Sequence, residues 1–433
     1  MDNNDFLGSY AQENVQFTTR VIKTAAVGDN FYKVMVFVED GRFVDTSETV
    51  WTNVPGSTTI KALSVDASDY AEHTTGLLRS WLYDLFCSGF TGDCILVACG
   101  DISVTYTYSK VTPVGTENPQ AEGWYEMVGT DYVLTTDTEI DSGKTYYTRS
   151  AGTTDPSAFL TGMEEAYNLL KAYAYHKTVC AGSDDAVLPA VAVKLAELCA
   201  ADKGLLSGAP LLPFTTSTPE DASSDPLYSA LNGVSQDAFM SAHQDTTRNA
   251  ALLSIGIALA SYNGSGTPVG NAVEMTATGM ITSSGPNGTQ LPKGVRDGLA
   301  LLHIQTWKPV GDNTGNVAAF GDMTLNGDVY AATWIIAYIT YMTKVRVAQL
   351  LTSGNFLKNA DNYSSIITVM NGFLSKFGPG GSGRLKNLLT TAPAFEDLPE
   401  AADDEIIVPD AWSATYVGNV RDVIITGTLY IGA

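Results

Sequence analysis

Tyr363-Ser364-Ser365-Ile366-Ile367-Thr368-Val369-Met370-Asn371-Gly372-Phe373-Leu374-Ser375-Lys376-Phe377 decides how the last third of the chain is read. Tyr363, Ile366, Ile367, Met370, Phe373, Leu374 and Phe377 recur at the i, i+3, i+4, i+7 spacing of a helix with one buried face. Asp361 or Asn362 offers a start, and Gly378-Pro379 a stop. Upstream, residues 329–351 are apolar nearly all round, which predicts a buried central helix about 33 Å long. Downstream come a break, Gly378-Pro379-Gly380-Gly381-Ser382-Gly383, an acidic stretch, and residues 423–431, which read as an apolar β-strand. Such a strand is expected to pair in its own sheet or in a neighbour's, since an unpaired apolar edge aggregates. The reading points to a protein that assembles.

The whole chain has 433 residues, enough for two to four domains with real cores. Its hydrophobic content of 45% argues for a folded chain, and its net charge of -23 argues against a general nucleic-acid surface. That charge suits a surface that repels its copies except at specific contacts. Cys87, Cys94, Cys99, Cys180 and Cys199 form no Cys-x-x-Cys pair and mostly sit in apolar settings, so they read as reduced, buried thiols of a cytoplasmically made protein. Met1-Asp2-Asn3-Asn4-Asp5 is acidic and polar, unlike a signal peptide. The most apolar run, residues 331–342, is shorter than the roughly 20 residues of a membrane span. A soluble chain with no membrane insertion is expected.

Along the chain, Val15, Phe17, Thr19 and Val21 alternate with polar neighbours as a half-buried strand would. Strands are also expected over residues 31–39 and 49–54, a helix over 71–86, and a buried strand over 93–99. Helix, glycine turn and apolar strand open an α/β unit. Residues 108–152 differ: rich in Thr, Tyr, Gly and acids, they hold three short strand signals, at 124–128, 132–135 and 145–149, and read as a small inserted β module. The α/β pattern resumes with helices over 157–175, 185–201 (capped by Asp184) and 248–262, with a short strand at 178–180. Residues 219–225 read as an acidic loop. Residues 264–328 read as extended loops around one helix or strand near 299–307.

Motifs that would carry chemistry are missing. Residues 378–383 match G-x-G-x-x-G formally, but a helix precedes them where the dinucleotide fingerprint needs a strand, so they read as a turn. Gly143-Lys144-Thr145 lacks the upstream glycine of a P-loop. His73, His176, His243 and His303 have no metal-ligand spacing, and no nucleophile elbow or Cys–His signature occurs. No catalytic, cofactor or metal residue is assigned. Charge is more informative: Lys358, Lys376, Arg384 and Lys386 gather around the amphipathic helix, just before Glu396, Asp397, Glu400, Asp403, Asp404 and Glu405. They read either as solvated helix ends or as a basic patch facing an acidic partner.

The order of these features resembles the contractile tail sheath proteins of bacteriophages. The long helix with Trp334 and Lys344-x-Arg346, the second helix over residues 363–377, the Gly-rich break, the acidic loop and the closing strand follow one another as in that family. Gly123-Trp124-Tyr125-Glu126 and Lys144-Thr145-Tyr146-Tyr147 resemble a small module of gut-phage structural proteins; residues 264–328 do not match the sheath pattern. The resemblance implies a multidomain α+β and α/β chain. Residues 1–30 would be an arm, 31–107 with 153–328 an outer α/β domain, 108–152 its β insertion, and 329–433 an inner α+β sheath domain. It implies self-assembly as stacked six-fold rings around a tail tube in the virion, with the tube, baseplate and tail terminator proteins as partners. It implies no cofactor, no nucleic acid and no enzymatic activity. Val15, Phe17, Thr19 and Val21, and Val423, Ile425, Leu429 and Ile431, would then pair between subunits, and Lys358, Lys376, Arg384 and Lys386 would face the tube. Two other readings stand beside it: another virion protein such as a tail tube or capsid subunit, and a small-molecule α/β enzyme.

Overall fold

The structure is a computed structural model. It describes residues 32–43, 50–113, 117–182, 187–201, 212–215, 219–232, 238–242, 249–260, 275–276, 292–310, 313–320, 324–325, 327, 330–352, 357–381, 383, 385–400, 406–408 and 411–416. The chain divides into two compact units, Asp101–Phe159 and the remainder.

The larger unit opens with β1 (Val34–Val38), α1 (Asp40–Phe43), β2 (Thr52–Asn53), β3 (Lys61–Val65), α2 (Tyr70–His73), α3 (Gly76–Cys87) and β4 (Cys94–Ala98). The single helix expected over 71–86 is thus two. Thr74 and Thr75 are both extended, at φ -135° and -136°, and Gly76 turns the chain with φ +55°. Two β-branched residues followed by a left-handed glycine interrupt a helix for steric reasons.

The smaller unit holds β5 (Ser103–Thr105), β6 (Tyr108–Lys110), β7 (Tyr125–Val128), β8 (Asp131–Leu134), β9 (Tyr146–Arg149) and β10 (Thr153–Asp155). β5 and β10 pair with each other, while β6, β9, β7 and β8, in that order, form a four-stranded antiparallel sheet. Trp124 and Tyr146 are buried with ring centroids 5.7 Å apart. The Tyr146 hydroxyl donates to Asp137 at 2.8 Å and accepts from the Asp141 N–H at 3.0 Å. Lys144 completes this cluster, 2.9 Å from Asp137 and 3.0 Å from Glu126.

The remaining elements, all but the start of the first lying in the larger unit, are α4 (Ser157–Leu170), β11 (His176–Cys180), α5 (Pro189–Ala201), β12 (Leu212–Thr215), α6 (Pro226–Leu231), β13 (Ala238–Ser241) and α7 (Ala250–Ala260). They continue with β14 (Met275–Thr276), α8 (Lys293–Leu301), β15 (Thr306–Val310), β16 (Asn313–Phe320), α9 (Tyr330–Thr352), α10 (Ala360–Leu374), β17 (Leu385–Thr390) and β18 (Trp412–Tyr416). The acidic loop at 219–225 is a 3-10 turn, Pro219–Ser224, from which Asp225 caps α6 by accepting the Leu227 N–H at 2.7 Å. Residues 264–328 contain a helix and strands: β14, β15 and β16 form an antiparallel sheet behind α8.

A five-stranded sheet, β11-β1-β4-β3-β2, organises the larger unit. β11, β1 and β4 run parallel, and β3 and β2 add an antiparallel edge. The β1 sequence Val-Met-Val-Phe-Val is buried throughout, as parallel strands covered on both faces must be. Val34, Val36, Val38, Cys94, Leu96 and Ala98 point to one face, into a core shared by α3, α7, α9 and α10. The helices of residues 330–374 therefore pack in the same core as the α/β sheet. On the other face, Lys177 is fully buried, with its ammonium 5.5 Å from the Tyr167 ring of α4. Lys194 of α5 meets Glu164 of α4 at 2.9 Å.

Two close approaches fix the helices. A Cβ on Gly256 of α7 would lie 2.5 Å from the Leu85 carbonyl of α3, and one on Gly162 of α4 would lie 1.7 Å from the Cys99 carbonyl. At the start of α7, Asn249 accepts the Leu252 N–H at 2.8 Å, and its own N–H donates to the buried Asp84 carboxylate of α3 at 2.6 Å. A carboxylate there complements the positive end of the helix.

Candidate assembly surface

The described residues offer little to chemistry. None of their His, Cys, Asp and Glu side chains gathers in threes as a metal site. All five cysteines are free; Cys94, Cys99, Cys180 and Cys199 are buried, and burial pushes the Cys94 and Cys99 thiols far above their usual range. Thiols held protonated are poor nucleophiles. His176 is buried in β11, and His303 lies 3.3 Å from the Leu325 carbonyl, far apart in sequence and in different sheets' surroundings. The G-x-G-x-x-G match is a turn running from a short 3-10 segment, Ser375–Phe377, into β17. A Cβ on its Gly381 would lie 2.0 Å from the Lys376 carbonyl, so glycine is required for the chain to fold back on itself. No described helix is long and apolar enough to cross a membrane.

The surface around α10 carries the residues singled out by charge. Asn359, one step earlier than expected, caps the helix by accepting the Asn362 N–H at 2.9 Å. Tyr363, Ile366, Met370, Phe373 and Leu374 are buried against α9 and the returning chain, as their spacing predicts. The Tyr363 hydroxyl donates to the Pro393 carbonyl at 2.7 Å, and burial raises its pKa. Thr390 of β17 reaches Asn371 at 2.5 Å, so residues 385–393 run back along the helix.

This geometry separates the basic residues. Lys358, Lys376 and Lys386 are all exposed. Lys358 precedes the first turn of α10, whereas Lys376 follows its last, about 22 Å away along the axis. The Lys376 ammonium lies 5.8 Å from the Phe373 ring. Lys386 joins Lys376 at this end, because its neighbour Leu385 shares the core of Phe373 and Phe377. Arg384, Val15, Phe17, Thr19, Val21, Val423, Ile425, Leu429 and Ile431 lie outside the described residues.

Beside them stands a pair of strands that sequence reasoning missed. β17 and β18 are antiparallel, with Leu385 opposite Tyr416 and Thr390 opposite Trp412. Their register shifts between Lys386 and Leu389, where Asn387 takes a left-handed φ of 52°. This is a bulge, the device that twists an edge strand. Among the described residues each strand pairs on one side only, and Leu389 is 60% exposed. The signal was present: Trp412 and Ala414 are half-buried while Ser413 and Thr415 are exposed, the period of two of a half-buried strand.

No family model and no curated protein matches the sequence. Solved structures do. A chain in the cryo-EM structure of the anti-feeding prophage baseplate, six-fold symmetrised, superposes with a TM-score of 0.55 at 12% identity, covering 98% of this chain and 99% of that one. The two share a fold. A sheath tail protein from Listeria innocua aligns over 84% of this chain and 89% of its own, with a TM-score of 0.44 at 10% identity. The resemblance to contractile-tail proteins thus holds at the level of fold, in a chain of mixed helices and several sheets.

Proposed function

We propose that this chain is a structural subunit of a contractile tail sheath. It polymerises as stacked six-fold rings around a tail tube in the virion, and contraction drives the tube through the host envelope. The observation that carries this reading is the fold shared with a baseplate chain over nearly the whole of both proteins. Fold alone does not fix function; the surface supplies the rest of the support.

A two-stranded sheet with outer edges unpaired among the described residues suits strand addition, in which main-chain hydrogen bonds hold while rigid bodies rotate. Residues 15–22 and 423–431 are the proposed arms, with Val15, Phe17, Thr19 and Val21, and Val423, Ile425, Leu429 and Ile431, pairing on neighbouring subunits. Lys376, Lys386 and Arg384 at one end of α10, and Lys358 at the other, are the proposed tube contacts. In this division residues 1–30 are the arm, and 31–107 with 153–328 the α/β part. Residues 108–152 are its insertion, and 329–433 the inner part, whose helices share the α/β core. Contraction draws on repacking of a metastable array, so no cofactor enters the scheme. The tube, baseplate and tail terminator proteins are the partners.

Negative-stain electron microscopy of the chain expressed alone tests the reading. Hollow cylinders of stacked rings are expected, lost when residues 423–433 are deleted. A discrete monomer or dimer at every concentration and salt would overturn it.

A further inference from the structure

The unit Asp101–Phe159 has a face that the scheme above leaves unused. Side chains alternate across its four-stranded sheet, and the pairing registers place Tyr108, Tyr125, Tyr132 and Tyr147 on one side, together with Lys110 and Arg149. Tyr108 and Tyr132 come from opposite edge strands, three strand spacings or about 14 Å apart. Yet their rings stack at 3.8 Å, with 7° between planes. The two side chains therefore arch over the central strands, where Tyr125 and Tyr147 meet them edge-on at 5.4 and 4.9 Å. All four rings remain part-exposed. The Arg149 guanidinium lies over two more rings, 4.3 Å from Tyr106 and 5.0 Å from Tyr125. Met127 and Leu134, 49% and 51% exposed, extend the same face.

Charge is sorted across this sheet. Between Asp101 and Phe159 the sequence has nine carboxylates (101, 117, 122, 126, 131, 137, 139, 141 and 155) and three cations. Lys144 is held by Glu126 and Asp137. The other two cations, Lys110 and Arg149, both stand on the tyrosine face, where the paired strands place no carboxylate. Neither has an ion-pair partner among the described residues, and both are exposed.

We propose that this face docks an acidic surface of a second copy of this chain. Tyr, Arg and Met without Asp or Glu is the composition of an interface centre, where rigid rings and a stacked guanidinium give contact at low entropic cost. A chain of net charge -23 repels its copies over most of its surface, and a carboxylate-free face with two unpaired cations is where a copy can approach. This inference rests on the assembly reading and names a contact within it.

The test compares full-length wild type with two double variants, Lys110→Glu/Arg149→Glu and Met127→Ser/Leu134→Ser. All four positions are exposed, so circular dichroism and melting temperature should match wild type. The critical concentration for sedimentable polymer should rise about tenfold or more in the charge variant, and rise in the apolar variant too. Unchanged values in both, with a polymerising wild type, would overturn the face and leave the sheath reading standing. Binding of the wild type to alginate, lost in the charge variant while polymerisation is unchanged, would reassign the face to an acidic saccharide. A wild type that stays monomeric sinks the sheath reading and this contact together.

Discussion

Replacing Gly162 by Ala should destabilise the larger unit, although alanine is the better helix former. The added Cβ would stand 1.7 Å from the Cys99 carbonyl oxygen, 2.7 Å from its carbon and 3.2 Å from its Cα. Carbon and oxygen approach no closer than about 3.3 Å without strain, so α4 would have to retreat by roughly 1.6 Å. The obstacle is backbone at the end of β4, and no rotamer change can relieve it. Overpacking of this kind costs up to about 3 kcal/mol, against about 1 kcal/mol gained from helix propensity. A net loss of about 2 kcal/mol lowers the melting temperature by roughly 4–8 °C at the sensitivity of a medium-sized domain. The control is Gly372→Ala in α10, where the new Cβ meets nothing within 4 Å. There the propensity gain stands alone, and the melting temperature should rise by about 2–4 °C. Differential scanning calorimetry of the two variants reads opposite signs from the same substitution. A Gly162→Ala protein melting at or above wild type would refute the close approach of α4 to Cys99.

Two further outcomes are expected. The Lys144 ammonium, then the Tyr146 hydroxyl, hold the Asp137 carboxyl below its ordinary 3.8. A folded pKa below the unfolded one gives stability that is present above the unfolded value and lost as pH falls through the folded one. Amide protection in residues 101–159 should therefore drop below about pH 4, and Asp137→Asn should flatten that drop; an equally steep drop in the variant would count against the cluster. Separately, Lys376→Glu/Lys386→Glu should stop sheath forming on tail tubes by electron microscopy, and normal tube-bound sheath in that variant would remove these residues from the tube contact.

What the sequence made legible was periodicity. The apolar spacing of α10 and the run Cys94-Ile95-Leu96-Val97-Ala98-Cys99 in β4 both report burial directly, and both elements formed where expected. β3 was missed because it buries Ala62 and Leu63 side by side and breaks the alternation. β18 alternates well, but it follows an acidic run that reads as loop. Lys358 and Lys376 show the limit most plainly. They are neighbours on a charge plot, and a helix of 15 residues puts them at opposite ends. Composition reports which charges exist, whereas only the path of the backbone reports which of them share a surface.

The same logic explains how 12% identity coexists with a fold shared over 98% of the chain. A parallel sheet covered on both faces asks only that β1, β4 and β11 be buried and that helices present apolar stripes to them, which many sequences satisfy. Identity therefore drains from the core without altering its architecture, and it marks function poorly. The features free to specialise are those the core does not constrain: the edges of β17 and β18, the two ends of α10, and the tyrosine face of the smaller unit. A change at Lys376 or Arg149 should leave melting untouched and alter assembly, whereas one at Gly162 should do the reverse. That opposition separates the surface reading from the fold, and it rests on positions whose exposure differs, not on their chemistry alone.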